Sequence, residues 1–255
     1  MADLDLALGL MSGPNLRRRR RGAWKAARTA PARLAGFRVA AWFDDDACRS
    51  IPVETVLHGL ADLLDAAGCH IDRSARPGFP LGKVIERFFA PCSAPALAGA
   101  QADHPRGTAL ATGDDRLTSA SDRHVRHRQW LSNNESRLQM RLKFEQFFQG
   151  LGHPAAAVMP CGVAFRHDHS GADGRPHGHH RRPAARDYWQ LNRWMAPAGA
   201  CCLPGTVIPV GLAASGLPVG VQIVGPYLHD RTTLAFAAAR WRSLVGPCPA
   251  PPGFD

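Results

Sequence analysis

Apolar residues fall into short, separated blocks along this chain, and their spacing predicts most of its elements. Leu4, Leu8 and Met11 follow a helical period over 3–11, stopped by Ser12-Gly13-Pro14. Residues 37–43, FRVAAWF, form an unbroken apolar run of strand length, ended by Asp44-Asp45-Asp46. Over 53–67 the side chains of Val56, Leu57, Leu60, Leu63 and Leu64 share one helical face, with Pro52 at the start and Gly68 at the end. Residues 69–72 read as a second short strand, and strand–helix–strand is the order of an α/β unit. A helix is expected over 81–90. A longer one over 127–149 has an imperfect apolar face of Leu131, Leu138, Leu142, Phe144, Phe147 and Phe148. Residues 155–159 read as a buried strand closed by Pro160, and 188–195 as a short helix with three large aromatic side chains. Two β-rich runs, 206–210 and 219–224, are separated by a turn at Ser215-Gly216, with Val207, Ile208, Val219, Val221 and Ile223 as core. Asp230 is the expected N-cap of a last helix through 239, with Thr232 and Thr233 in its first turn.

Between these blocks the periodicity dissolves three times, near 16–33, 91–123 and 172–185. Each stretch is rich in Arg, Ala, Pro, Gly or His, residues that GC-rich codons yield in any reading frame. The expectation is an out-of-frame or disordered stretch at each; natural loop divergence is the alternative. The tail from 246 is expected to be disordered. No internal repeat is evident.

At 255 residues with 45% hydrophobic content, the chain is long enough for a substantial core. No run of about 18 apolar residues occurs, so no membrane span is expected. The N-terminus is acidic before its apolar stretch, unlike a secretory leader. Seven scattered cysteines with no Cys-x-x-Cys pair read as free thiols in a reducing cytoplasm. The formal charge of +10 raises a nucleic-acid partner, with Arg17 to Arg21, Trp24 and Lys25 as the candidate phosphate grip. Yet the charge is local, concentrated there and over 177–186, in segments poor in apolar residues, so nucleic acid is the lesser reading.

The stretch LPGTVIPVGLAASGLPVGVQIVGPYLHDRTTLAF, residues 203–236, closely resembles the C-terminal part of the amidase signature family, and GLPVGVQIVGP is its most specific element. Other blocks are similar as well: 3–14, 37–78, the helix over 126–148, Met159-Pro160, and FRHDHS at 165–170. The resemblance implies an incomplete α/β fold, a mixed sheet flanked by helices. It also implies hydrolysis of carboxylic amide C–N bonds of a small-molecule substrate, without a cofactor. In that family a Ser–Ser–Lys set performs the reaction, and its glycine- and serine-rich segment lies upstream of the part matched here. No Gly-Gly-Ser-Ser-Gly-Gly occurs between Met1 and Asp255, and Lys25, Lys83 and Lys143 lie outside the family lysine's context. A serine hydroxyl needs a base, and the oxyanion needs pre-aimed donors. No catalytic, cofactor-binding or metal residue is therefore transferred. The chain is expected to be inactive alone, a fragment or a non-catalytic partner of a separately encoded front half.

The remaining candidates have plain alternatives. Gln222, a polar residue inside an apolar strand, is either a cleft-side hydrogen-bond group or, the preferred reading, a locally paired structural amide. His167, Asp168, His169, His177, His179 and His180 suggest a metal, but they sit in Gly/Pro/Arg-rich sequence without a flanking helix, which suits adventitious binding better. Ser12-Gly13 and Ser215-Gly216 lack the G-x-S-x-G context of a nucleophile elbow. Asp44 to Asp46 fit a solvated strand end. Cys201-Cys202 could supply a thiol nucleophile, but no motif places a histidine beside them.

Overall fold

The computed structural model describes residues 2–12, 33–45, 51–88, 127–161, 193–214, 216 and 218–240. Its elements are α1 (Ala2–Met11), a 3-10 turn (Leu34–Gly36), β1 (Arg38–Ala41), α2 (Ile51–Ala66), β2 (His70–Asp72) and α3 (Leu81–Phe88). They continue with α4 (His127–Leu151), β3 (Ala155–Pro160), α5 (Ala196–Cys201), β4 (Gly205–Leu212), β5 (Pro218–Val224) and α6 (Asp230–Arg240). The five strands form one mixed sheet in the order β2-β1-β3-β5-β4. β1 runs parallel to both β2 and β3, while β5 is antiparallel to β3 and to β4. The expected mixed sheet flanked by helices is the observed one.

Two hydrophobic layers hold the sheet. On one face α2 and α6 cover Val39, Ala41, Ala156, Val158, Ile208, Val219, Val221 and Ile223. There the Phe37 ring meets the Phe236 ring edge-on at 5.1 Å between centroids. On the other face α3, α4 and α5 cover Ala40, Trp42, Ala157, Met159 and Val224. β3 is buried on both faces, and its small alanines let helices approach from either side. Burial of a large apolar side chain contributes roughly 1.5–3 kcal/mol, so Phe37, Trp42, Leu57, Phe144 and Phe236, all buried, anchor both layers.

The apolar stripe of α2 is displaced from the expected one. Val53, Leu57, Leu60, Ala61 and Leu64 are buried and Val56 is partly buried, but Leu63 is half exposed. The helix touches the sheet along an i, i+4, i+7 line, and Leu63 falls beside that line. On α4 Phe144 and Phe148 are buried and Met140, Phe147 and Leu151 pack partly buried against the same core, while Leu131 and Leu142 stand exposed. Val207, expected in the core, is 54% exposed. β4 is an edge strand that alternates, so Thr206 and Ile208 face α6 and α2 while Val207 looks to the opposite, uncovered side. Of the aromatic helix expected over 188–195, residues 193–195 form a 3-10 turn. Residues 188–192 lie outside the described residues, and a short helix instead spans Ala196–Cys201, with Pro197 in its first turn. At α6 the helix starts on Asp230 itself, and the Thr232 amide donates to the His229 carbonyl. The irregular stretches 91–123 and 172–185, and nearly all of 16–33, lie outside the described residues, as does the tail from 246. No described helix is long and apolar enough to cross a membrane.

Candidate functional site at the carboxyl edge of the sheet

The connections out of β1 decide where a site can form. One runs through α2 to β2, and the next passes through α3 and α4 on the opposite face to β3 on the other side of β1. Where successive connections leave on opposite faces, the carboxyl ends of the strands splay and open a crevice. In this molecule that point lies between β1 and β3, and it presents Trp42, Phe43 and Asp44 beside Cys161. The Trp42 amide donates to the Val158 carbonyl at 2.9 Å, which continues the ladder one step past the strand.

Trp42 is 1% exposed, and its ring meets Trp194 edge-on at 6.0 Å. Its indole Nε1 is buried without a hydrogen-bond partner among the described residues. A buried unsatisfied donor costs about 1–3 kcal/mol, so this N–H is poised to reward an acceptor. Arg76 closes the rim. Its guanidinium lies 5.8 Å from the Trp42 ring centroid, donates to the carbonyls of Ala41, Arg73 and Ala75, and pairs with Asp44 at 2.8 Å. One side chain thus ties the loop after β2 to the end of β1. Asp44, read from sequence as a solvated strand end, is half exposed and serves as the Arg76 partner.

Cys161 follows β3 and stands over Gly220 of the neighbouring strand. A β-carbon at Gly220 would lie 2.7 Å from Cys161 Sγ, so the strand can pass only as glycine. Burial pushes the Cys161 thiol up, although hydrogen bonding to the Cys161 and Gly220 backbone acts the other way. Gln222, on the same face, is buried and donates from Nε2 to the Trp194 carbonyl at 3.1 Å, the structural pairing preferred from sequence.

Among the described residues no other sequence candidate joins this edge. Burial, then the neighbouring Cys202, pushes the Cys201 thiol up to about 12, so it stays protonated at neutral pH. Cys202 is exposed, and its Sγ accepts from Arg137 Nη1 at 3.0 Å. Ser12 ends α1 by donating its amide to the Leu8 carbonyl, while Ser215 lies outside the described residues. So do His167, Asp168, His169, His177, His179, His180 and the basic run Arg17 to Arg21. Among the described residues no three His, Cys, Asp or Glu side chains gather as a metal site. Sequence reading missed Trp42 and Arg76 because each sits in an unremarkable context, an apolar run and a loop. Only the alternation of the strand, continued one residue, could have marked Trp42 as facing α4.

The Amidase family model matches residues 91–234, more than half of the chain. The chain belongs to the amidase family. Over 125 residues it is 37% identical to the A subunit of glutamyl-tRNA(Gln) amidotransferase from Anaeromyxobacter dehalogenans (strain 2CP-C), a match covering 48% of this chain and 23% of that protein. The crystal structure of the corresponding A subunit from Thermotoga maritima overlays with a TM-score of 0.57 at 16% identity, covering 93% of this chain and 50% of that one. A bacterial aryl acylamidase of the amidase signature enzymes overlays with a TM-score of 0.54 at 15% identity, covering 82% of this chain and 44% of that one. At these identities the overlays establish the amidase fold. The chain spans about half the length of these structures, and its match spans under a quarter of the curated relative. The family range runs across 91–123 and 172–185.

The fold explains why the amidase motif GLPVGVQIVGP, residues 216–226, is so specific. Val219, Val221 and Ile223 fill one core layer, and Gln222 and Val224 enter the other. Gly220 passes under Cys161, and a β-carbon at Gly225 would lie 2.7 Å from Thr233 Cγ2. The motif from Val219 to Gly225 is thus constrained by both core layers and by two close backbone approaches.

Proposed function

We propose that residues 1–255 supply one half of an amidase that hydrolyses the C–N bond of a small-molecule carboxylic amide, and that they do not hydrolyse it alone. The observation that carries this reading is the carboxyl-edge crevice. It offers a buried donor, Trp42 Nε1, just past the end of β1, and, past the end of the neighbouring β3, a thiol, Cys161, that burial pushes toward its protonated form. A neutral amide is a fitting ligand, since its carbonyl oxygen can accept from an indole without bringing a charge into an apolar site. The serine nucleophile, its base and the oxyanion donors would come from outside these residues. We place the protein in the cytoplasm, which suits the four free cysteines among the described residues.

The test is ammonia release from glutamine and from simple aliphatic and aryl amides by the purified chain, beside a matched contaminant control. No release is expected. Turnover that survives the control would show that the chain carries its own catalytic set. Resequencing the locus in all three frames tests the reading of 16–33, 91–123 and 172–185 as out-of-frame. Recovery of family sequence there is the expected result, and an unchanged frame throughout would refute it.

A second reading is favoured by the names of the relatives, which are subunits of a larger enzyme. In it the chain is the non-catalytic partner of a separately encoded front half. Stable co-purification with a chain carrying the serine and lysine set, together with restored amide turnover, is the expected outcome. Co-purification with no such chain counts against it.

A further inference from the structure

A groove of about 420 Å³ lies between the loop entering α3 and the middle of α4. That volume is the size of a small-molecule site. Phe79, Pro80 and Met140 supply its apolar lining, and Phe79 is braced edge-on against Phe144 at 5.2 Å. Lys83 and Lys143 line it from two different helices, and among the described residues no acidic one shares the lining. The chain holds 31 Lys and Arg residues, and the only lysines are Lys25, Lys83 and Lys143. Two of the three thus line one groove. Among the described residues neither Lys83 nor Lys143 forms a salt bridge.

The other polar groups of the lining are already engaged. Ser136 Oγ donates to the Ser132 carbonyl, and Gln139 Nε2 donates to Glu135 Oε1. What the groove offers a ligand is therefore two ammonium groups beside an apolar floor. The first turn of α3, entered through Gly78-Phe79-Pro80, adds the positive end of its dipole on the same side. Lysine ammoniums are mobile point charges rather than rigid forks, so they can close on a carboxylate without demanding one geometry. An aromatic body suits the lining, because Phe79 and Met140 offer ring-edge and thioether contacts.

The geometry points to a binding site for a small aryl carboxylate in this groove, its carboxylate between Lys83 and Lys143 and its ring against Phe79 and Met140. The site does not rest on the proposed amide hydrolysis, and its test needs no turnover. The probe is benzoate, titrated into the whole chain and followed by calorimetry and ligand-observed NMR. Benzamide serves as the neutral isostere and inorganic sulfate as the bare anion. Benzoate should bind saturably, weaken with added salt because the groove is open, and weaken about tenfold in each of Lys83→Gln and Lys143→Gln, in line with losing a charge-assisted contact. Both lysines are exposed, so the variants should keep the fold, which their melting temperatures check; Phe79→Leu should weaken benzoate while leaving sulfate binding unchanged. Equal binding of benzamide and benzoate, sulfate competing as strongly as benzoate binds, or unchanged affinity in both lysine variants would each overturn the proposal.

Discussion

Gly225 marks the junction of β5 and α6, and its missing β-carbon is what lets them meet. With Thr233 Cγ2 at 2.7 Å from the position a β-carbon would take, Gly225→Ala must push the helix away from the strand. We expect a loss of about 1–3 kcal/mol, the usual cost of overpacking, read as a lower denaturant midpoint at unchanged slope. Gly59 is the opposite case, exposed on α2 with nothing within 4 Å of its would-be β-carbon. Gly59→Ala should therefore stabilise by about 0.5–1 kcal/mol through helix propensity. The thiols divide in the same local way. Burial pushes Cys69, which also sees Asp65, up to about 11 and Cys201 up to about 12, whereas Cys202 is exposed. Alkylation of the native chain at pH 8 with peptide mapping should label Cys202 well before Cys69 or Cys201. Equal labelling of Cys201 and Cys202 would contradict the packing of α5.

At the scale of elements, the molecule depends on side chains that bridge one segment to the next. Asp72 closes β2 by accepting from the Ser74 and Ala75 amides and the Ser74 hydroxyl, each at 2.8 Å. The Ser74 bonds chiefly hold its carboxyl below the usual 3.8. Stability from this turn is therefore present above pH 3.8 and lost as pH falls through the lower folded value. At the start of α6, His229 lies 5.2 Å from the His153 ring. Burial first, and His153 second, hold its pKa below 6.5 against the pull of Asp230. Because the unfolded chain binds that proton more readily, stability should be complete above pH 6.5 and fall as pH drops through the folded value. His229→Gln should remove that part of the acid sensitivity in a pH series of thermal melts and leave the loss below pH 3.8. At the rim, Arg76→Ala frees three carbonyls and Asp44 at once. A cost of about 1–3 kcal/mol is expected for a charged hydrogen-bonding group, and Arg76→Lys should recover only part of it, since one ammonium cannot reproduce the fork.

Across the whole molecule, the surfaces left open set its behaviour. α1 buries none of its residues, and Leu6, Leu10 and Met11 are 64%, 78% and 80% exposed. At the other margin, among the described residues, β4 pairs on one side only and shows Val207 and Leu212 to solvent. An apolar helix and an open strand edge favour self-association. The chain should form larger species as its concentration rises in light scattering, and Leu6→Glu with Leu10→Glu should reduce this while leaving the melting temperature nearly unchanged. A monodisperse chain at high concentration would show these surfaces to be covered from within.

Local pattern determined the elements, because helix and strand periodicities are read over a few neighbouring side chains. The strands at 155–159, 206–210 and 219–224, and the helix after Asp230, stand where the spacing puts them. The motif at 216–226 was likewise legible, since Gly220 and Gly225 answer to close contacts and Val219, Val221 and Ile223 alternate into one core layer. Which apolar residues go inside was legible only in part. Leu63, Leu131, Leu142 and Val207 satisfy the period yet lie open, because burial depends on which neighbour covers a face, and at the sheet edge none does. The carboxyl-edge site belongs wholly to the tertiary structure. Trp42 and Cys161 stand far apart in sequence, and they come to the same edge only because β1 and β3 lie side by side with their connections on opposite faces.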